Sequence, residues 1–311
     1  MEVEISIVIV SWNVKDLLED CITPFYNKEN IEIIIVDNNS WDGTQELIKN
    51  KYSNIIFIEN KFNNGFSLGN NQGFKLSNGK YIYILNPDTY SSFTDLMKLK
   101  NVLDNNERVG GVGPKLVYGS GEIQKSCARK FPSISSYLLI NTLKLDKLYY
   151  LGNFFEKRLK YPYNYNKSSI IECCSGAAYF VRKKIIDDLG GFSGEFIHTG
   201  EDVELMFRVR KIGYENFYCS DSILKHYTGQ SSKQALVRIR INSMLSTYTY
   251  FLKTKGKLHA IIYKSILFFI ERPVTIFIAF LKLIKLNKKN FQRLSDEYRI
   301  TIGLLKWKKI D

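Results

Sequence analysis

Three acidic stations along the chain carry residue types suited to handling a charged oxygen. The first closes Ile31-Glu32-Ile33-Ile34-Ile35-Val36-Asp37-Asn38-Asn39-Ser40, and the second closes Tyr81-Ile82-Tyr83-Ile84-Leu85-Asn86-Pro87-Asp88-Thr89. The third is Gly200-Glu201-Asp202-Val203-Glu204-Leu205. In an open α/β sheet, ligands bind just beyond the carboxyl ends of the strands. Asp37 and Asp88 each follow an apolar run, so they are expected at that edge instead of in a packed core. Pro87 fixes φ and stops the ladder, which stiffens the turn that carries Asp88. A carboxylate held there can ligate a divalent cation, and another within reach of a hydroxyl can take its proton. Each station also has a plainer reading. Asn-Pro-Asp is good turn chemistry, and acids in a first helical turn are favoured by the helix dipole.

The elements that must position these groups alternate along the first part of the chain. Ile5-Ser6-Ile7-Val8-Ile9-Val10-Ser11-Trp12-Asn13 reads as a strand ending in small polar groups. The isoleucine-rich run to Val36 suits a central parallel strand covered on both faces. A helix is expected at Gln45 to Lys49, and a third strand over Asn54 to Glu59. Gly65-x3-Gly69-x3-Gly73 reads as a turn opening a helix. It is neither a Walker loop nor a dinucleotide fingerprint, and glycines and asparagines supplying positive φ in a loop is its plainer reading. From Asp202 onward Leu205, Met206, Val209 and Ile212 keep helical spacing, with Gly213 near the end. Strands alternating with helices predict a doubly wound α/β domain with a mostly parallel sheet.

With these residues assembled, the chain resembles family 2 glycosyltransferases of the GT-A fold over roughly residues 4 to 231. The order is the family's: Val-Asp-Asn-Asn-Ser, an asparagine- and glycine-rich turn, Asn-Pro-Asp, then Gly-Glu-Asp. Asn64-Gly65-Phe66, Asn86-Pro87-Asp88-Thr89, Gly113-Pro114-Lys115 and Ser175-Gly176-Ala177 resemble the bacterial rhamnosyltransferase-like branch. The resemblance implies that Asp37 bonds the pyrimidine base of a nucleotide-sugar donor. It implies donor-binding positions at Ser11, Asn13, Asn39, Asn64, Gly65, Asn70, Asn86, Ser175 and Gly176. Asp88 becomes the expected ligand of Mn2+ or Mg2+ on the donor diphosphate, with His226 able to reach the same ion. Asn86 stands where an aspartate is more widespread, and one carboxylate fewer weakens attraction for a hard cation. Asp202 is implied as the general base, with Glu201 beside it in the same catalytic motif.

These roles suit a single displacement that inverts the anomeric centre. A leaving diphosphate gains charge that a divalent ion neutralises, and a base activates the acceptor hydroxyl. A glycoside hydrolase also pairs two acids but has no use for a base-binding Asp37 or a metal site. Rhamnose from dTDP-rhamnose is the first donor expected, and a UDP-hexose or UDP-N-acetylhexosamine is the alternative. From other classes, a sugar-nucleotidyltransferase would want a basic glycine-rich loop where Ser11-Trp12-Asn13-Val14-Lys15-Asp16 stands. A non-catalytic membrane scaffold has only the missing carboxylate at Asn86 in its favour.

The charge is distributed unevenly. Residues 1–231 hold 27 lysines and arginines against 27 acids, while residues 232–311 hold 17 against 4 and so carry the whole net +13. This divides the chain into a catalytic domain, 1–231, and a basic amphipathic helical extension, 232–311. Within the extension, Leu258 to Lys285 is apolar and aromatic, flanked by lysines and interrupted by Glu271-Arg272-Pro273. Neither half reaches the ~20 residues of a spanning helix. A membrane-associating helix pair on an anionic surface is expected, with a core-packing helical hairpin as the alternative. Aromatic residues buried in aliphatic runs exclude a nucleic-acid partner. A glycan or polyprenyl-diphosphate-linked acceptor accounts for both the apolar and the basic character. Five cysteines without a C-x-x-C pair, and no secretory signal, predict a reducing cytoplasm and a peripheral place on the inner face of the membrane. Cys173-Cys174 reads as small buried filling, and Arg129 and Lys130, in an acceptor-side region, as solvated surface, with contact to an acceptor phosphate as the alternative.

Overall fold

Runs of β-branched residues at Ile5–Ser11 and Ile31–Asp37 form β1 and β2, almost wholly buried, as strands covered on both faces must be. The structure, a computed structural model, describes residues 2–142, 160–196, 199–227, 236–282 and 288–305. The chain divides into two compact units. The first holds Met1–Phe131, Tyr163–Gly194 and Glu201–Ser231, and the second holds Pro132–Pro162, Glu195–Gly200 and Ser232–Asp311. The helical unit thus gathers two internal segments besides the basic extension.

In the first unit, β1 and β2 are joined by β3 (Ile56–Glu59), β4 (Tyr81–Leu85), β5 (Thr89–Tyr90) and β6 (Val109–Val117). β7 (Ser169–Ile171), β8 (Ala178–Arg182) and β9 (Glu215–His226) complete the sheet. The order is β3-β2-β1-β4-β8-β6-β9-β5, with β7 on β9. The α/β architecture expected from the sequence is present, and its sheet is mixed. The β1–β2, β1–β4, β2–β3 and β6–β9 pairs are parallel, whereas β8 runs antiparallel to both β4 and β6. That reversal brings the amino end of β8 to the edge where the parallel strands end.

Helices α1 (Lys15–Ile22), α2 (Thr44–Lys51), α3 (Gly65–Leu76) and α4 (Phe93–Asp104) link the strands. The glycine segment differs from the turn and loop readings, because Gly65 to Gly73 already lies inside α3. A Cβ on Gly73 would stand 2.4 Å from Val8 Cγ1, and one on Gly69 2.9 Å from Val10. These glycines let the helix lie flat on β1; only Gly65, at φ +78°, uses the left-handed region. Beyond β8 come α5 (Lys183–Leu189) and α6 (Glu201–Lys211). Leu205, Met206 and Val209 are buried on α6, while Ile212 falls past its end and is exposed. Acids open α6 and Arg208, Arg210 and Lys211 close it, matching the dipole at both ends. All five cysteines are buried thiols, and burial pushes Cys173 up to about 12.

In the second unit, α7 (Leu236–Lys255), α8 (Lys257–Ile266), α9 (Arg272–Lys282) and α10 (Lys288–Leu305) pack together. The break expected at Glu271-Arg272-Pro273 is absent. A π-helical turn, Leu267–Glu271, carries the chain from α8 into α9. Pro273 follows the π-helical turn directly, at the place where the regular hydrogen-bond ladder is already interrupted. Arg272 is buried on Glu297, which Arg240 also holds at 2.7 Å, and Tyr137 bonds Glu271. Leu258, Ile261, Phe269, Phe277 and Phe280 remain exposed. Among the described residues, no helix is long and apolar enough to cross a membrane. Leu283 to Lys285 lie outside the described residues.

Candidate active site

The parallel register sets Ser11 beside Asp37 at the ends of β1 and β2. Asp37 is fully buried, and its Oδ2 accepts from the Ser40 N–H and from Gln45 Nε2, each at 2.9 Å. Its Oδ1 is buried with no hydrogen-bond partner, as is Ser11 Oγ. An orphaned buried acceptor carries a desolvation cost of about 1–3 kcal/mol, which a ligand N–H would remove. The surrounding loops are braced for such a ligand. Asn13 and Asn39 both take positive φ, the Asn13 N–H donates to Ser40 Oγ at 2.9 Å, and the Trp41 N–H donates to Asn13 Oδ1 at 2.9 Å. Asn38 Nδ2 donates to the Gly65 carbonyl at 3.2 Å, tying the start of α3 to the end of β2. Asn64 stands at the N-cap position of that helix without a side-chain capping bond. Asn70 lies one turn further, its Nδ2 on the Phe66 carbonyl and its Oδ1 buried without a partner.

β4 neighbours β1, so its end lies on the same edge of the sheet. There the Asn86 N–H donates to the Ala177 carbonyl at 2.8 Å, and Asn86 Oδ1 is buried and unpartnered. The Tyr227 N–H donates to the Asp88 carbonyl, and Thr89 pairs with His226. This pairing brings His226 Nε2 to 3.3 Å from Asp88 Oδ1. The other ring nitrogen, Nδ1, lies 3.0 Å from Gln124 Oε1.

Asp202 enters from the first turn of α6. Its Oδ2 accepts from the Gly176 N–H at 2.8 Å and lies 3.5 Å from Arg129 Nη2, while its Oδ1 accepts from the Val203 N–H. A Cβ on Gly176 would fall 2.8 Å from Asp202 Cβ, so the approach requires glycine there. Ser175 Oγ accepts from the Ala177 N–H at 3.3 Å. Since the Ala177 carbonyl holds Asn86, the second and third acidic stations are joined through two consecutive residues. Glu201, beside Asp202, is buried with Oε2 unpartnered. Burial first, and the Asp202 charge second, push its carboxyl up to about 8. Glu201 is thus the proton holder of the pair.

Arg129 differs from its expectation as solvated surface. Its backbone bridges Cys173, and its guanidinium is turned onto the Asp202 carboxylate. Gln124 and Arg129 carry no sequence signal as partners of His226 and Asp202, because each pairing joins residues far apart in the chain, 102 positions in the case of Gln124. Among the described residues, no group of three or more His, Cys, Asp or Glu side chains gathers where it could hold a metal ion.

A family model for glycosyl transferase family 2 matches residues 6–190. The chain belongs to that family. It is 28% identical over 193 residues to a poly(ribitol-phosphate) beta-glucosyltransferase of Bacillus spizizenii, covering 58% of this chain and 30% of that protein. It is 26% identical over 250 residues to a dolichyl N-acetyl-alpha-D-glucosaminyl phosphate 3-beta-D-2,3-diacetamido-2,3-dideoxy-beta-D-glucuronosyltransferase of Methanococcus voltae, covering 76% and 71%. With an N-acetylglucosaminyl-diphospho-decaprenol L-rhamnosyltransferase of Mycobacterium tuberculosis it shares 21% over 219 residues, covering 65% and 68%. The chain therefore spans under a third of the glucosyltransferase, and about two thirds of the other two. Its fold is similar to that of a mannosyltransferase of Pyrobaculum calidifontis solved with GDP-mannose and Mn2+ (TM-score 0.57, 14% identity, 98% of this chain and 87% of that one).

Proposed function

We propose that this chain transfers a sugar from a nucleoside diphosphate donor to a glycan or polyprenyl-diphosphate-linked acceptor, with inversion. The observation that carries the reading is the row of three carboxylates at one sheet edge. Asp37 has an oxygen free to take a base N–H, Asp88 faces His226, and Asp202 is bonded to Gly176 next to the Asn86-Pro87-Asp88 turn. Ser11, Asn13 and Asn39, at and beyond the ends of β1 and β2, and Asn64, Gly65 and Asn70, at the start of α3, would hold the nucleoside and first phosphate. Ser175, Gly176 and Asn86 sit where the sugar would lie.

A carboxylate oxygen and an imidazole nitrogen 3.3 Å apart fit a divalent cation completed by diphosphate oxygens and water. Asp88 and His226 would hold it, and an imidazole donor favours Mn2+ over Mg2+, which prefers an all-oxygen shell. When bound, the ion would neutralise charge on the departing diphosphate. Asp202 takes the proton from the acceptor hydroxyl. Glu201 keeps its own proton and so adds no second negative charge beside the base.

Relatives carry glucosyl, glucuronosyl and rhamnosyl names, and the rhamnosyl relative bears a decaprenol-linked acceptor in its name. Rhamnose from dTDP-rhamnose remains our first donor, ahead of a UDP-hexose or UDP-N-acetylhexosamine. The exposed Leu258, Ile261, Phe269, Phe277 and Phe280, among exposed Lys257 and Lys264, support peripheral binding to the anionic cytoplasmic face of a membrane. The test is calorimetric titration with dTDP-rhamnose, UDP-glucose, UDP-galactose and UDP-N-acetylglucosamine, each with and without Mn2+ or Mg2+. Metal-dependent binding of one donor is expected; a folded sample that binds none refutes the reading.

A further inference from the structure

We infer that Gln124 is a positioning residue that fixes the His226 imidazole in its Nδ1–H form, leaving the Nε2 lone pair beside Asp88 to receive a cation. The inference rests on the proposed metal site and adds to it a residue outside the acidic stations. Gln124 is buried, and its backbone N–H bonds the Leu116 carbonyl, which fixes it against β6. Its side-chain amide orientation is then forced by its neighbours. Nε2 donates to the His226 carbonyl at 2.8 Å and to the Val117 carbonyl at 3.4 Å. Rotating the amide by half a turn would set its oxygen against two carbonyl oxygens, so Oε1 is the end that faces the ring.

An amide oxygen only accepts, so the proton at the 3.0 Å contact must belong to His226 Nδ1. In a neutral imidazole the other nitrogen is then an acceptor. That nitrogen, Nε2, faces a carboxylate oxygen at 3.3 Å. A divalent ion placed between these two atoms would be met by both of them. Gln124 grips one residue at two points, its carbonyl and its ring, so ring rotation and proton position are fixed together. Partners of this kind behind a ligating histidine set ring orientation and ligand basicity, and losing one costs about 10–100-fold in metal affinity.

The test is made on the full chain labelled with 15N-histidine, whose three histidines permit assignment of His226 by substitution. In the wild type, the ring nitrogen shifts should report a protonated Nδ1 and an unprotonated Nε2. Gln124→Leu should mix the two tautomers and weaken Mn2+ binding in the presence of UDP, read by electron paramagnetic resonance, by at least ~10-fold. Gln124→Glu returns an acceptor to the ring but sets its second oxygen against the His226 and Val117 carbonyls, so it should restore the Nδ1–H form without the full Mn2+ affinity. A wild-type proton on Nε2, or a leucine variant with unchanged tautomer and affinity, overturns the role of Gln124 while leaving the transferase reading intact. A wild type in the Nδ1–H form that takes up no Mn2+ with UDP overturns the cation site itself, and this inference with it.

Discussion

Replacing Glu201 by glutamine should make the stability of the protein less sensitive to pH on the acid side of neutrality. In the native fold this carboxyl is raised from 4.5 to about 8, by burial first and the Asp202 charge second. In the unfolded chain it ionises near 4.5. Between those values the folded state holds a proton that the unfolded state has lost. Stability therefore falls as pH rises through this window, and the contribution is complete only below the lower value. Each unit is worth about 1.4 kcal/mol, so going from about pH 5 to pH 7 should cost the wild type ~3 kcal/mol through this one group. Glutamine is neutral, of similar shape, and carries no such cost. Urea denaturation midpoints of both proteins across that range provide the assay. The glutamine variant should gain on the wild type by ~3 kcal/mol over those two units. Parallel curves would refute the assignment of the proton to Glu201, and with it the division of labour between the paired acids.

Asp202→Asn should retain donor binding by calorimetry while turnover falls at least ~100-fold, and full activity would remove Asp202 from the mechanism. Gly73→Ala drives a methyl to 2.4 Å from Val8 Cγ1 and should cost about 1–3 kcal/mol in a denaturation experiment, part of it recovered by Val8→Ala. An unchanged midpoint would show that α3 does not rest on β1. Phe277→Ser with Phe280→Ser, at two exposed positions, should abolish co-sedimentation with phosphatidylglycerol vesicles without lowering the thermal midpoint. Undiminished sedimentation of that variant would sink the membrane reading.

Asp37 and Asp88 are legible as strand-end groups because an apolar β-branched run closed by polar residues has one favourable place in an α/β sheet. The helical spacing after Asp202 is equally readable, apart from Ile212, which lies past the end of α6. The glycine segment misleads for a physical reason. Glycine at every fourth position serves a loop by its backbone freedom or a helix by its missing side chain, and only the facing Val8 and Val10 decide between these. Pro273 misleads in a similar way, since proline interrupts a regular helix but is carried here directly after a π-helical turn. Gln124 and Arg129 are invisible in the sequence because their importance comes from distant partners: one bonds a ring across the sheet, the other offsets a carboxylate. The reversed direction of β8 is equally hidden, because strand direction leaves no mark in local spacing.

The π-helical turn at Leu267–Glu271 acts as an angular setting for α9. Each residue along a helix advances the side-chain direction by about 100°. Removing one residue from this turn would swing every position of α9 around its axis by that amount. Arg272, buried against Glu297, would turn away from its partner, and Phe277 and Phe280 would leave the outer surface. The hydrophobic stripe of α9 is thus timed by a single extra residue upstream, and a deletion there would alter which face α9 presents without changing any residue on it.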